Sequence, residues 1–218
     1  MFKTSLAFRW FSMLFIFFLL QIGTSWVFCE ENCIAERQEK KVLFDFTTIP
    51  SLSGWSELSD TVREVGKSKA AFQIQKTLQF QRAIFFTLLN PQPNGAGFAG
   101  FRTDVQLDLS NFTALAVKHR AQGQNFFYKV CLRHRGLNRE PHVSYEQIFE
   151  ANKEFGYTFL PFSNFLPFYR GKKQDPTKVG FLDTANITNF EFQIFGGVYL
   201  PLKQSGASSL EIDTVEAV

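Results

Sequence analysis

Apolar and polar residues alternate along most of this chain. In Phe190-Glu191-Phe192-Gln193-Ile194 and Leu210-Glu211-Ile212-Asp213 every second side chain is large and apolar, and the same period recurs at residues 42–46, 72–75, 78–81, 105–109, 115–118 and 157–160. A period of two places one row of side chains on each face of an extended strand. The stretches are short and end at Gly, Pro, Asn or Ser clusters such as Gln122-Gly123-Gln124-Asn125, and helical spacing is scarce. That pattern predicts an all-β sandwich or barrel. The 28 phenylalanines supply the large rings that fill the layer between two sheets.

One motif tests this reading. Gly95, Gly97 and Gly100 have the G-x-G-x-x-G spacing of a dinucleotide fingerprint, which works only where a strand feeds the glycines and a helix follows to meet the pyrophosphate. Here Asn90-Pro91-Gln92-Pro93-Asn94 separates the upstream apolar run 82–89 from the glycines, and 101–109 alternates as a strand. No Asp or Glu lies between Ser110 and Arg139, where the ribose-binding acid belongs. The glycines are expected in a loop between β-strands, with no dinucleotide bound.

The first 29 residues differ from the rest. Lys3 and Arg9 precede the apolar run Trp10-Phe11-Ser12-Met13-Leu14-Phe15-Ile16-Phe17-Phe18-Leu19-Leu20, and no acid occurs before Glu30. This is the order of a secretory signal peptide, with cleavage expected after Cys29 or near Ser25. The alternatives are an uncleaved signal anchor, since residues 10–29 are long enough to span a bilayer, and a mitochondrial transit peptide. Residues 30–41 form a polar arm, and residues 42–218 are of a length for one domain. Removing the leader takes two of the 23 basic side chains and none of the 20 acidic ones, so the remainder carries a net charge near +1. That balance lacks the basic face that nucleic-acid binding requires. The clusters Lys118-His119-Arg120, Arg133-His134-Arg135 and Lys172-Lys173 are expected at solvated edges or loops.

Two sequons, Asn111-Phe112-Thr113 and Asn186-Ile187-Thr188, fit passage through the secretory lumen. In Phe127-Tyr128-Lys129-Val130-Cys131-Leu132-Arg133 the inward row is Tyr128, Val130 and Leu132, which puts Cys131 outward with Lys129 and Arg133. An outward thiol in an oxidising compartment is expected to find a partner, and Cys33 is the one left once the leader is gone. A Cys33–Cys131 disulfide is therefore expected, against the alternative of two unpaired thiols.

Catalytic signatures are missing from the sequence. His119, His134 and His142 show no metal-ligand spacing, and there is no P-loop and no G-x-S-x-G elbow. No enzyme, cofactor or metal is expected. The stretch Leu160-Pro161-Phe162-Ser163-Asn164-Phe165-Leu166-Pro167-Phe168-Tyr169-Arg170-Gly171-Lys172 instead joins an aromatic cluster to an arginine on a loop. Phe165, Tyr169 and Arg170 are the candidate contacts for a ligand or partner. Their structural alternative is a packed Tyr169 and an Arg170 paired to Asp183 or another acid.

Phe44-Asp45-Phe46, Trp55 followed by Ser59-Asp60, Gly66-Lys67-Ser68, Phe98-Ala99-Gly100-Phe101, Asp108-Leu109-Ser110, Tyr145 with Phe149, Pro161-Phe162-Ser163-Asn164-Phe165, Tyr169-Arg170-Gly171 and Leu210-Glu211-Ile212-Asp213 occur in one order from about residue 42 to the C-terminus. As a set they resemble the complex I intermediate-associated protein 30 family. The resemblance implies a galactose-binding-like jelly-roll β-sandwich and a chaperone-like, non-catalytic role in assembling respiratory complex I. With the leader read as secretory, the expectation is a secreted or endoplasmic reticulum glycoprotein that binds a protein partner. The alternatives are a luminal carbohydrate-binding module and, if the leader addresses mitochondria, a complex I assembly factor.

Overall fold

The computed structural model describes residues 39–93 and 97–218. The strands are β1 (Lys41–Asp45), β2 (Ser56–Ser59), β3 (Lys69–Lys76), β4 (Gln81–Leu89), β5 (Phe98–Leu107), β6 (Ala114–Gly123), β7 (Phe127–His134), β8 (Ser144–Glu150), β9 (Gly156–Pro161), β10 (Leu166–Tyr169), β11 (Lys172–Lys173), β12 (Ile187–Phe195) and β13 (Gly206–Ala217). They form two antiparallel sheets. The six-stranded sheet runs β3-β4-β13-β6-β9 with β1 also on β13, and the seven-stranded sheet runs β11-β10-β8-β7-β12-β5-β2. Among the described residues helix is confined to the four-residue α1 (Pro176–Val179) and short 3-10 turns.

Most inward rows are those the alternation predicts; β9 is the exception, where the apolar row Tyr157 and Phe159 is exposed and Leu160 of the other row is buried. Phe72, Phe85 and Leu210 from the six-stranded sheet face Phe101, Tyr128, Val130, Phe190 and Phe192 from the other, all buried. Edge-to-face pairs join the layers, with Phe85 and Tyr128 ring centroids 6.1 Å apart and Trp55 5.2 Å from Phe72. Such pairs add to the gain from burying rings of this size.

Scattered motifs meet in space. The buried Asp60 accepts the Ser68 N–H at 2.8 Å on one carboxylate oxygen and the Phe98 N–H at 3.4 Å on the other. Gly66 packs so tightly on this turn that a Cβ there would lie 1.9 Å from the Asp60 carbonyl oxygen. Ser59-Asp60, Gly66-Lys67-Ser68 and Phe98 are thus one stitch holding the β2–β3 connection against the start of β5.

Two further expectations are corrected. Residues 78–81 do not form a strand of their own: β3 ends at Lys76, and Thr77 to Phe80 make the hairpin turn into β4. The Thr77 hydroxyl accepts the Gln79 and Phe80 N–H groups at 3.1 and 3.0 Å, a local alternative to ladder bonds that the alternation conceals. The glycines also do not share a loop. Gly97 precedes β5, Gly100 lies inside it opposite Gln193, and Gly95 lies outside the described residues. A Cβ at Gly100 would sit 2.6 Å from the Phe192 carbonyl oxygen, so close approach of two strands explains this glycine.

Candidate functional site

The predicted contact residues are held by the fold. Phe165 is 4% exposed and packs on Phe162 in the core, so its ring faces no solvent. Arg170 is exposed at the β10–β11 turn with φ 51°, and its guanidinium lies 5.4 Å from the Tyr169 ring. It donates to both carboxylate oxygens of Glu140, from Nη2 at 2.6 Å and from Nε at 3.1 and 3.2 Å. Asp183, the acid named for it, pairs with Arg135 at 2.6 Å instead. Tyr169 and Arg170 are therefore stacked and paired as the structural alternative describes.

Asn111 and Asn186 are both exposed, the first in the β5–β6 turn and the second in the turn entering β12. Cys131 does lie in the row facing away from the aromatic core, between Glu146 of β8 and Glu191 of β12, but it is only 2% exposed, and among the described residues its thiol has no partner. Cys33 lies outside the described residues. Burial pushes the Cys131 thiol well above its usual pKa, the environment of an inert cysteine. Beside it, Lys129 donates to Glu146 at 2.6 Å. The leader expected at residues 1–29 and most of the arm 30–41 also lie outside the described residues.

Sequence reasoning missed a larger feature on the outer face of the six-stranded sheet. Alternation along β4 turns Ala83, Phe85 and Leu89 inward and Arg82, Phe86 and Leu88 outward. On β13 the outward Glu211 stands directly between Ile84 of β4 and Arg120 of β6. Arg82 donates to Glu211 at 2.6 Å, Arg120 lies 2.9 Å from its other oxygen, and Gln122 donates there too. Lys118 pairs with Asp213 at 3.2 Å. Burial alone would raise the Glu211 pKa, but hydrogen bonds and charge from Arg82 and Arg120 outweigh it and hold the carboxyl below the ordinary glutamate value.

Aromatic rings clamp the arginines. The Arg82 guanidinium carbon lies 4.0 Å from the Phe80 ring centroid and 4.3 Å from that of Phe155, and the Arg120 guanidinium carbon lies 4.8 Å from the Phe155 centroid. Stacking desolvates the guanidinium while leaving its charge in place. Around the stack Leu78, Phe80, Phe86 and Leu88 are exposed, and on β9 at the far edge so are Tyr157 and Phe159. Next to Gln122 an open groove of about 330 Å³ is lined by Ala121, Gln122, Gly123, Phe126 and Lys153.

Lys118 and Arg120 were assigned to a solvated edge because a basic run usually is one. Their period-two placement in an apolar strand was the available signal. Their acids sit on β13, about ninety residues away in sequence. Among the described residues no group of three His, Cys, Asp or Glu gathers as a metal site, and no helix is long and apolar enough to cross a membrane.

The sequence profile of the complex I intermediate-associated protein 30 family matches residues 44–212. No curated protein matches the chain significantly. Among solved structures it is similar to a family 11 carbohydrate-binding module from Clostridium thermocellum in complex with a β-1,3-1,4-mixed-linked tetrasaccharide. The identity is 15%, the TM-score 0.60, and the match covers 82% of this chain and 95% of that one. A second family 11 module, from a cellulosomal cellulase of that bacterium, matches at 14% identity and TM-score 0.60 over 83% of this chain and 94% of its own. An exo-beta-agarase matches at 10% identity and TM-score 0.52 over 81% of this chain and 24% of its own. At these identities the likeness is one of fold, and it identifies the two sheets as a jelly-roll sandwich.

Proposed function

Because the chain belongs to the complex I intermediate-associated protein 30 family, we propose that it is a non-catalytic, assembly-factor-like binding protein that holds a protein partner on the outer face of its six-stranded sheet. The observation that carries this reading is the exposure of Leu78, Phe80, Phe86 and Leu88 around an arginine already desolvated between two rings. Exposed leucines offer a sugar hydroxyl nothing to bond, whereas the centres of protein interfaces are rich in aromatic residues and arginine. A photoreactive side chain in place of Leu88 should crosslink a single partner in cells, and one in place of the exposed Leu137, on the β7–β8 connection, should not. Equal labelling at both positions would exclude the face.

A saccharide ligand is the second reading, favoured by the groove at Gln122. There Lys153 lies 5.6 Å from the Phe126 ring centroid, so a ring, an amide and a cation share one open site, and the related fold holds a tetrasaccharide in a family 11 module. Retention on a glycan array that Phe126→Ala abolishes would favour this reading over the first.

For the compartment, we infer a secretory route from the leader and from the exposure of Asn111 and Asn186 at turns. The mass of the protein recovered from eukaryotic cells, before and after glycosidase, tests it. Glycan on either asparagine with residues 1–29 absent supports the secretory route; an unglycosylated chain in mitochondria favours a complex I assembly role.

A further inference from the structure

Strand edges invite pairing with other chains, and folds blunt them with charges, brevity or bulges. Most edges here are blunted. At the rims of the seven-stranded sheet, β11 is two lysines long and β2 has four residues including Glu57. In the six-stranded sheet β3 begins with Lys69 and ends with Lys76, and β1 begins with Lys41. Among the described residues the remaining edge is β9, Gly156-Tyr157-Thr158-Phe159-Leu160-Pro161. It pairs with β6 on one side, carries no charge, shows no register shift, and has no proline before its last residue.

Its outward side chains are the second observation. Tyr157 and Phe159 are 49% and 60% exposed, with ring centroids 6.3 Å apart and planes inclined by 26°. The two inward positions are occupied otherwise: Leu160 is in the core, and Thr158 bonds His119 at 2.9 Å.

We propose that β9 pairs with β9 of a second copy of this chain, antiparallel about a two-fold axis at Thr158. In that register Tyr157 of each copy stands opposite Phe159 of the other, so two cross-strand aromatic pairs form on one outward face. The strand supplies both halves of the match, the condition of an isologous interface. Charge agrees with the geometry: the same axis sets Gly156 to Leu160 against Leu160 to Gly156, and none of these residues is charged, so no like charges face each other within the paired strands. The two six-stranded sheets become continuous, and the Arg82 faces of both copies lie on the same side.

The exposed part of four rings is a few hundred Å² at the order of about 150–250 Å² for a whole aromatic side chain, and with six-residue strands the contact stays at the small end of specific interfaces. The pairing is therefore concentration-dependent. It is independent of the partner reading above, which rests on the β3–β4 side of the sheet.

Sedimentation velocity of the purified full chain over a hundredfold range of concentration is the test. A reversible monomer–dimer equilibrium is expected, abolished by Phe159→Lys, which sets a charge on an exposed edge position, and kept by Leu88→Ser on the same face. To separate this from damage to the fold, a Tyr157→Cys copy and a Phe159→Cys copy are oxidised together and apart. The register requires the mixture to crosslink faster than either alone. A monomer at every concentration, a dimer that survives Phe159→Lys, or crosslinking no faster in the mixture would overturn the proposal.

Discussion

Replacing Glu191 with Gln isolates a single buried carboxyl. Glu191 is 3% exposed in the centre of the seven-stranded sheet. Lys129, Cys131 and Arg133 of β7 and Arg102 of β5 flank it, Glu146 of β8 lies beyond Cys131, and Gln193 on its own strand donates to it at 2.6 Å. Burial pushes its pKa up from 4.5 to about 7, with Glu146 acting in the same direction and Lys129, Gln193 and Arg133 opposing. An acid with a raised folded pKa holds its extra proton in the native state. Its contribution to stability is complete below pH 4.5 and is lost as pH climbs through 7. At 1.36 kcal/mol per pH unit, a rise from 4.5 to about 7 amounts to about 3 kcal/mol. Glutamine does not titrate and keeps an oxygen to accept from Gln193. The unfolding free energy of E191Q relative to the parent, from urea curves at a series of pH values, should therefore rise by about 3 kcal/mol between pH 4.5 and about pH 8, then level off. His119 works oppositely: burial lowers its pKa from 6.5 to about 4, so its contribution is present above 6.5 and is lost as pH falls. In the parent the two largely offset between 4.5 and 6.5, and E191Q uncovers the histidine slope. A difference curve that stays flat across this range would show that Glu191 is not held in a desolvated site.

Glu211→Ala strands Arg82, which is left with Asp213 at 3.6 Å, and should cost about 3 kcal/mol in urea unfolding; a loss below about 1 kcal/mol would mean the network is merely tolerated. Phe165→Ala opens the core and should cost about 3–5 kcal/mol, whereas Arg170→Ala, which breaks an exposed pair, should leave the unfolding midpoint unchanged. A loss for Phe165→Ala below about 1 kcal/mol would refute its place in the core, and a marked drop in midpoint for Arg170→Ala would show that the exposed pair with Glu140 carries stability. The Cys131 thiol should resist iodoacetamide in the folded protein and react on unfolding, and stoichiometric labelling of the native chain would refute its burial.

Local chemistry wrote much of this protein into its sequence. The alternation in Phe190-Glu191-Phe192-Gln193-Ile194 is a property of neighbours, so it declared the strand, its inward rings and the all-β class without reference to the rest of the chain. Turn chemistry was local as well, although the Thr77 hydroxyl turn was hidden under an alternating run. What alternation cannot convey is which strand lies beside which. Glu211 meets Arg82 and Arg120 because β13 is inserted between β4 and β6, and Asp60 meets Ser68 and Phe98 because the β2–β3 connection folds onto β5. Burial is decided in the same way. Phe165, chosen for its loop, went to the core, and Cys131, chosen for its outward row, is covered even so, because exposure depends on what packs above a residue and not on the row it occupies. The sequence by itself determined most of the strands and their faces, since these follow from interactions between near neighbours; the exceptions are the turn at residues 77–80, hidden under an alternating run, and the outward Tyr157 and Phe159 of β9, decided by the sheets around them. The partners across each strand, and hence the charged and aromatic face, were decided by the tertiary structure, where contacts such as Arg120–Glu211 and Arg82–Glu211 join residues far apart in the chain.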